Sequence, residues 1–84
     1  MKSNEIVREQ IFGIIKNQIK DNKPPETKQT YDRLIGLGYN DYESMQLIGQ
    51  CIAIELFEVL KNKKPFDEIR FIKNLKKLPE ESFD

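Results

Sequence analysis

Apolar residues recur at helical spacing in four segments of the chain, and breaks rich in proline, glycine or lysine separate these segments. A repeat at i, i+3, i+4 and i+7 indicates amphipathic helices. The pattern predicts helices over about residues 3–21, 25–37, 41–61 and 67–78. The predicted fold class is therefore all-α, a compact bundle of four helices, with residues 1–78 as a single domain and residues 79–84 as a flexible acidic tail.

The third predicted helix carries so many apolar residues that only a narrow polar strip remains. This pattern is typical of a central helix with neighbours on most sides. The apolar arc of the first helix covers more than half its circumference, which predicts packing on two sides, within the domain or against a second chain. At the edges of that arc, Ile6, Phe12 and Ile19 are the candidates for a protein interface.

The corner between the second and third helices, residues 33–49, is compatible with a DNA-reading helix-turn-helix, a ubiquitin-associated-type hairpin or a plain bundle. Gly38 suits the left-handed position after a helix end, and Tyr39 is expected to fold back on Leu34. Asn40 and Glu43 have the spacing of a capping box. Residues 41–49 contain no lysine or arginine, which argues against a recognition helix.

The fourth helix has start and stop signals of its own. Asp67 is the predicted N-cap, and Phe66 and Phe71 have the spacing of a hydrophobic staple. Pro79 ends the helix. These signals predict where the fourth helix begins and where it ends.

Composition excludes several chemistries. The 84 residues contain 14 basic and 14 acidic side chains, no histidine and one cysteine, Cys51. This set offers no metal site and no cofactor motif, and Cys51 is expected to be a small buried hydrophobe rather than a nucleophile. No segment is long and apolar enough to span a membrane, and a lone cysteine without a secretory segment predicts a cytoplasmic protein.

Glu55 is the one candidate acid of the third helix, because its helical neighbours are apolar and it is expected to be buried. A buried carboxylate requires a partner, and Arg8, Arg33 and Arg70 are the candidates. A structural ion pair is favoured over an acid–base group in a cleft that Tyr31 or Tyr42 would also line.

Seven basic residues lie between Lys61 and Lys77, against two acidic ones. Lys64, Lys73, Lys76 and Lys77 are the candidate contacts to nucleic acid, which such a local excess attracts. A solvated face is the favoured interpretation, because the net charge is zero.

One resemblance covers most of the chain, from residue 17 to residue 79. It rests on the segments NQI, PPETKQTYDRL, ELFEVLK and PFDEIRF, together with the Gly38 corner and the ending at Leu75, Leu78 and Pro79. These segments resemble a group of short uncharacterised bacterial proteins, a domain of unknown function. The resemblance implies a small all-helical fold and no established activity. Members are often richer in histidine, so no metal or catalytic position carries over.

The sequence therefore predicts a small helical protein that acts as a non-enzymatic protein–protein interaction module, with a homodimer as one form. The first alternative is an accessory protein that binds nucleic acid through the basic face of residues 61–77. The second alternative is an enzyme or small-ligand binder with a cleft near Glu55.

Overall fold

The computed structural model describes residues 2–80, with side chains from Val7 onward, and it confirms the all-α prediction. Its helices are α1 (Lys2–Asp21), α2 (Pro25–Gly36), α3 (Asp41–Asn62) and α4 (Glu68–Lys77). Each boundary lies within one residue of the prediction. The side chain of Ile6 and the tail beyond residue 80 are outside the described part of the chain.

The third helix is central, as predicted, because α3 contacts each of the other three helices. Helix α2 does the same, while α1 and α4 do not meet over the described residues. The core between the helices is built of ten buried side chains: Ile11, Ile15, Leu34, Met45, Ile48, Cys51, Ile52, Phe71, Leu75 and Leu78. Over residues 2–80, none of the helices combines the length and apolarity that a membrane crossing requires.

Helix α1 packs closely on α3 because α3 presents a glycine at the crossing. A Cβ atom at Gly49 would lie 3.2 Å from Cγ2 of Ile11 and 3.9 Å from a ring carbon of Phe12. A larger residue would therefore push the two helices apart. Ala53, one turn further along α3, is exposed at the edge of the contact.

The corner between α2 and α3 has the predicted helix-termination geometry. Gly38 has a φ of 105°, and the N–H groups of Gly38 and Tyr39 donate to the carbonyls of Ile35 and Leu34. This pair of bonds is a Schellman motif. The capping box is also present, since the Glu43 N–H donates to the Asn40 side chain and the Asn40 N–H donates to Glu43. The corner satisfies its own backbone without a ligand.

We expect Gly38→Ala to lower the free energy of unfolding by about 1–2 kcal/mol, because φ at this position is unfavourable for residues with a Cβ atom. No other atom lies within 4 Å of the added Cβ, so the effect is purely conformational. Gly13→Ala in α1 is the matched control, since its Cβ also meets nothing, and we expect it to stabilise by about 0.5–1 kcal/mol. Urea denaturation measures the free energy of unfolding of both variants. Equal changes in the two variants would contradict the conformational role of Gly38.

Candidate functional site

The most polar contact in the core joins α3 to the start of α4. Glu55 is fully buried, and its carboxylate accepts three hydrogen bonds. Arg70 donates through Nε to Oε2 at 2.7 Å and through Nη2 to Oε1 at 3.0 Å, and the Asp67 N–H donates to Oε1 at 3.0 Å. Both oxygens are thus paired, as a buried carboxylate requires. These bonds raise the pKa of the Arg70 guanidinium.

Charged side chains from other helices hold α4 at both of its ends. At the N-terminus, Glu55 binds the N–H of the cap residue Asp67, whose own side chain accepts from the Arg70 N–H. Beyond the C-terminus, Arg33 of α2 donates to the carbonyls of Leu75 and Leu78 at 2.9 and 3.4 Å. An anion at the start of a helix and a cation at its end both match the helix dipole.

The staple predicted at the start of α4 is confirmed. The rings of Phe66 and Phe71 meet edge to face, with centroids 5.4 Å apart. Phe71 is fully buried, whereas Phe66 remains partly exposed on the connection between α3 and α4. The staple therefore fixes the direction in which the chain enters α4, beside the bonds to Glu55.

The groups that a cleft near Glu55 would need do not come together in the structure. Tyr31 donates a hydrogen bond to Asp41, and Tyr42 contacts Phe12 edge to face. Both contacts lie at the opposite end of α3, about 20 Å along the helix from Glu55. The Arg8 guanidinium lies over the Tyr42 ring, 5.9 Å from its centroid. Five grooves on the described surface have linings that do not include Glu55. Its carboxylate is engaged in holding α4.

Cys51 lies in the core, one turn from Glu55 on α3. Burial raises the pKa of its thiol to about 12. A thiol with such a pKa stays protonated at neutral pH, and the thiolate is the reactive form. The position and the pKa together make this side chain an inert core residue, in line with the sequence prediction.

A second polar contact links α2 to the beginning of α3. The Tyr31 hydroxyl donates to Asp41 Oδ1 at 2.6 Å. This bond is the main cause of a raised pKa of Tyr31. The contact is exposed and joins two neighbouring helices, so it supports the α2–α3 corner. Both side chains also line a groove of about 290 Å³ together with Lys16 and Lys20 of α1.

The basic residues predicted as nucleic-acid contacts are spread over different surfaces. Lys64 lies on the connection between α3 and α4, and Lys73 and Lys76 are exposed on the outer side of α4. Lys77 is half-buried on another side of the same helix. Lys76 shares a groove of about 250 Å³ with Arg33 and with the acidic Glu26, so the positive charge there is partly offset.

Two of the three interface candidates on α1 pack largely within the chain. Phe12 and Ile19 are half-buried against the core, and the Phe12 ring contacts Tyr42 edge to face at a centroid distance of 5.9 Å. Beside Phe12, a groove of about 290 Å³ runs between α1 and α3. Its lining comes from both helices: Val7, Arg8, Ile11, Phe12, Gln46, Gly49, Gln50 and Ala53.

The outer face of α3, next to this groove, exposes large apolar side chains. Five exposed residues follow one another at spacings of four, three, four and three: Gln46, Gln50, Ala53, Phe57 and Leu60, here called the α3 seam. Phe57 is 55% exposed and Leu60 is 76% exposed. Alternating steps of three and four are those of the contact seam in a helix pair.

The α3 seam carries no charge, although 33% of all residues in the chain are charged. From Ser44 to Ile54, α3 has no charged residue at all. The sequence did not predict this surface, because the apolar residues of α3 were expected to make contacts within the bundle. The signal was present in the charge-free run, since helix faces in contact with water normally carry charged residues.

Comparison of the chain with protein-family models, with curated proteins and with solved structures found no match. The resemblance to a group of short bacterial proteins therefore stays a prediction.

We expect Glu55→Gln to destabilise the protein by about 1–3 kcal/mol, because the amide group places N–H donors against the donors of Arg70. The same change should speed hydrogen exchange at the Asp67 amide, which loses its carboxylate acceptor. Glu68→Gln, an exposed acid in the first turn of α4, is the control, with an expected change within about 0.5 kcal/mol. Equal stability losses in the two variants would show that the buried pair does not hold α4.

We expect Cys51 to resist thiol reagents in the folded protein at neutral pH, because it is buried and its pKa is raised to about 12. Chemical denaturation should restore the reaction rate of a free cysteine. Reaction with a chromogenic disulfide reagent, followed with and without denaturant, measures the difference. Rapid modification under native conditions would place the thiol at the surface.

Proposed function

We propose that this protein is a non-enzymatic protein–protein interaction module and that it binds its partner through the α3 seam. The observation that carries the proposal is the exposure of Phe57 and Leu60 in a row of uncharged residues, which the Lys61 ammonium borders at 5.1 Å from the centroid of the Phe57 ring. Contiguous exposed apolar surface marks interaction sites, and the centres of interfaces are depleted of charge and enriched in aromatic residues.

The groove beside the α3 seam supports the same proposal. Gln46, Gln50 and Ala53 of the seam line the groove of about 290 Å³ between α1 and α3, and the exposed side chains of Phe57 and Leu60 continue the seam beyond it. Most of the groove lining is apolar or uncharged, with Arg8 as its one charged residue. A ridge next to a groove is the shape by which one helix packs on another.

The two alternative functions receive less support from the geometry. The Glu55 carboxylate is occupied by Arg70 and the Asp67 N–H, which leaves it no free oxygen for a substrate. Among the described side chains, no three potential metal ligands come together. The basic residues Lys73 and Lys76 flank the exposed Ile69 and the half-buried Ile72, so their groove is largely apolar.

A photo-crosslinking phenylalanine analogue in place of Phe57, introduced in cells of the source organism, tests the proposal. We expect a covalent adduct with a protein, because the ring of residue 57 lies at the centre of the apolar half of the seam. The same analogue at Gln29, an exposed position on α2, is the control and should give no adduct. Equal yields at the two positions, or none at 57, would refute the α3 seam as a binding surface.

A further inference from the structure

We propose that the partner of the α3 seam is a second copy of this chain, with the two α3 helices antiparallel about a two-fold axis at Ala53. This inference rests on the proposed function and names its partner. It follows from three features of α3: the symmetry of the seam about Ala53, the opposite charges at the two ends of the helix, and the position of the groove beside Leu60.

The α3 seam is symmetric in spacing about its smallest residue. Gln46 and Leu60 each lie seven residues from Ala53, and Gln50 and Phe57 lie three and four residues from it. In an antiparallel pair centred on Ala53, Leu60 of each copy therefore lies opposite Gln46 of the other, and Phe57 lies opposite Gln50. The two alanines meet at the axis, where a small side chain permits close approach of the helices.

The ends of α3 carry opposite charges. Asp41 and Glu43 are exposed in its first turn, and Lys61, Lys63 and Lys64 are exposed at its end. Glu43 and Lys63 are each ten residues from Ala53, so antiparallel pairing brings the acidic end of one copy to the basic end of the other. A parallel pair would instead place the lysines of both copies together, which is unfavourable.

The groove between α1 and α3 lies where the antiparallel pair needs it. Leu60 follows Gly49 by eleven residues, about three helical turns, so both point to the α1 side of α3. A two-fold axis perpendicular to the paired helices keeps the α1 sides of both copies together. Leu60 of the second copy therefore reaches the groove beside Phe12 and Gln46, and no charged side chain of the seam opposes it.

The mass of the purified full-length chain, measured by light scattering and sedimentation over a range of concentrations, is the first test. We expect a dimer that dissociates on dilution. Ala53→Glu places two carboxylates at the axis and should raise the dissociation constant at least about tenfold. Gln29→Glu, which adds the same charge on α2, should leave the constant unchanged, and circular dichroism should show both variants folded.

Charge reversal tests the orientation of the pair. Lys63→Glu with Lys64→Glu places acidic residues opposite Glu43 of the other copy and should weaken the dimer. Lys73→Glu with Lys76→Glu makes the same change of charge on α4, away from the seam, and should have no effect. Equal effects of the two double variants would overturn the antiparallel arrangement.

Distances between the two copies give the sharpest readout. Single spin labels at the exposed positions 61 and 64, outside the seam, are introduced on a Cys51→Ala background. In the antiparallel pair, like labels should lie about 25–35 Å apart along the helix direction, because residues 61 and 64 are eight and eleven residues from the axis. Short distances between like labels at both positions would indicate a parallel pair and would contradict the proposal.

The outcomes separate this inference from the proposed function. A monomeric chain that crosslinks to a different protein through position 57 would overturn the second copy as partner and leave the interaction module standing. A monomeric chain without crosslinks would overturn both. A dimer that is unaffected by Ala53→Glu would place the contact between copies on another surface.

Discussion

The buried carboxylate of Glu55 determines how the second half of the molecule is assembled. Its three hydrogen bonds come from a side chain and a backbone amide at the start of α4, so one residue of α3 fixes both the position and the direction of that helix. Removing a charge from water costs several kcal/mol, and only a complete set of partners offsets this cost. Helix α4 therefore docks in one arrangement, with Arg70 above Glu55 and the cap residue Asp67 beside it.

Arg33 completes this arrangement from the other side of α4. Because it binds the carbonyls of Leu75 and Leu78, the short helix is held between an anion of α3 and a cation of α2. A helix of ten residues is marginal by itself in water, so these contacts and the burial of Phe71 and Leu75 supply most of its stability. The absence of contact between α1 and α4 over the described residues follows, since α2 and α3 lie between them.

Local signals in the sequence were sufficient for the ends of the helices. The Asn40–Glu43 capping box, the left-handed Gly38 and the Asp67 cap depend on residues within five positions of one another, and all three are present. The partner of Glu55 was open among three arginines, because a pair fifteen residues apart depends on how α4 lies on α3. Helical periodicity assigned Phe57 and Leu60 to an apolar helix without showing that no other helix covers them. Their exposure depends on the tertiary arrangement, which periodicity does not contain.

The ion pair of Glu55 with Arg70 and the α3 seam lie on different faces of the same helix. Glu55 points inward, where Arg70 satisfies it, so the only acid between Ser44 and Phe57 is withdrawn from the outer face. The five seam residues from Gln46 to Leu60 therefore carry no charge, and the Lys61 ammonium borders them over the Phe57 ring. A surface of that kind is costly to leave exposed on a chain that has a small core. Helices α1, α2 and α4 all pack on other faces of α3, and this is the reason that the seam is the surface proposed to bind a second molecule.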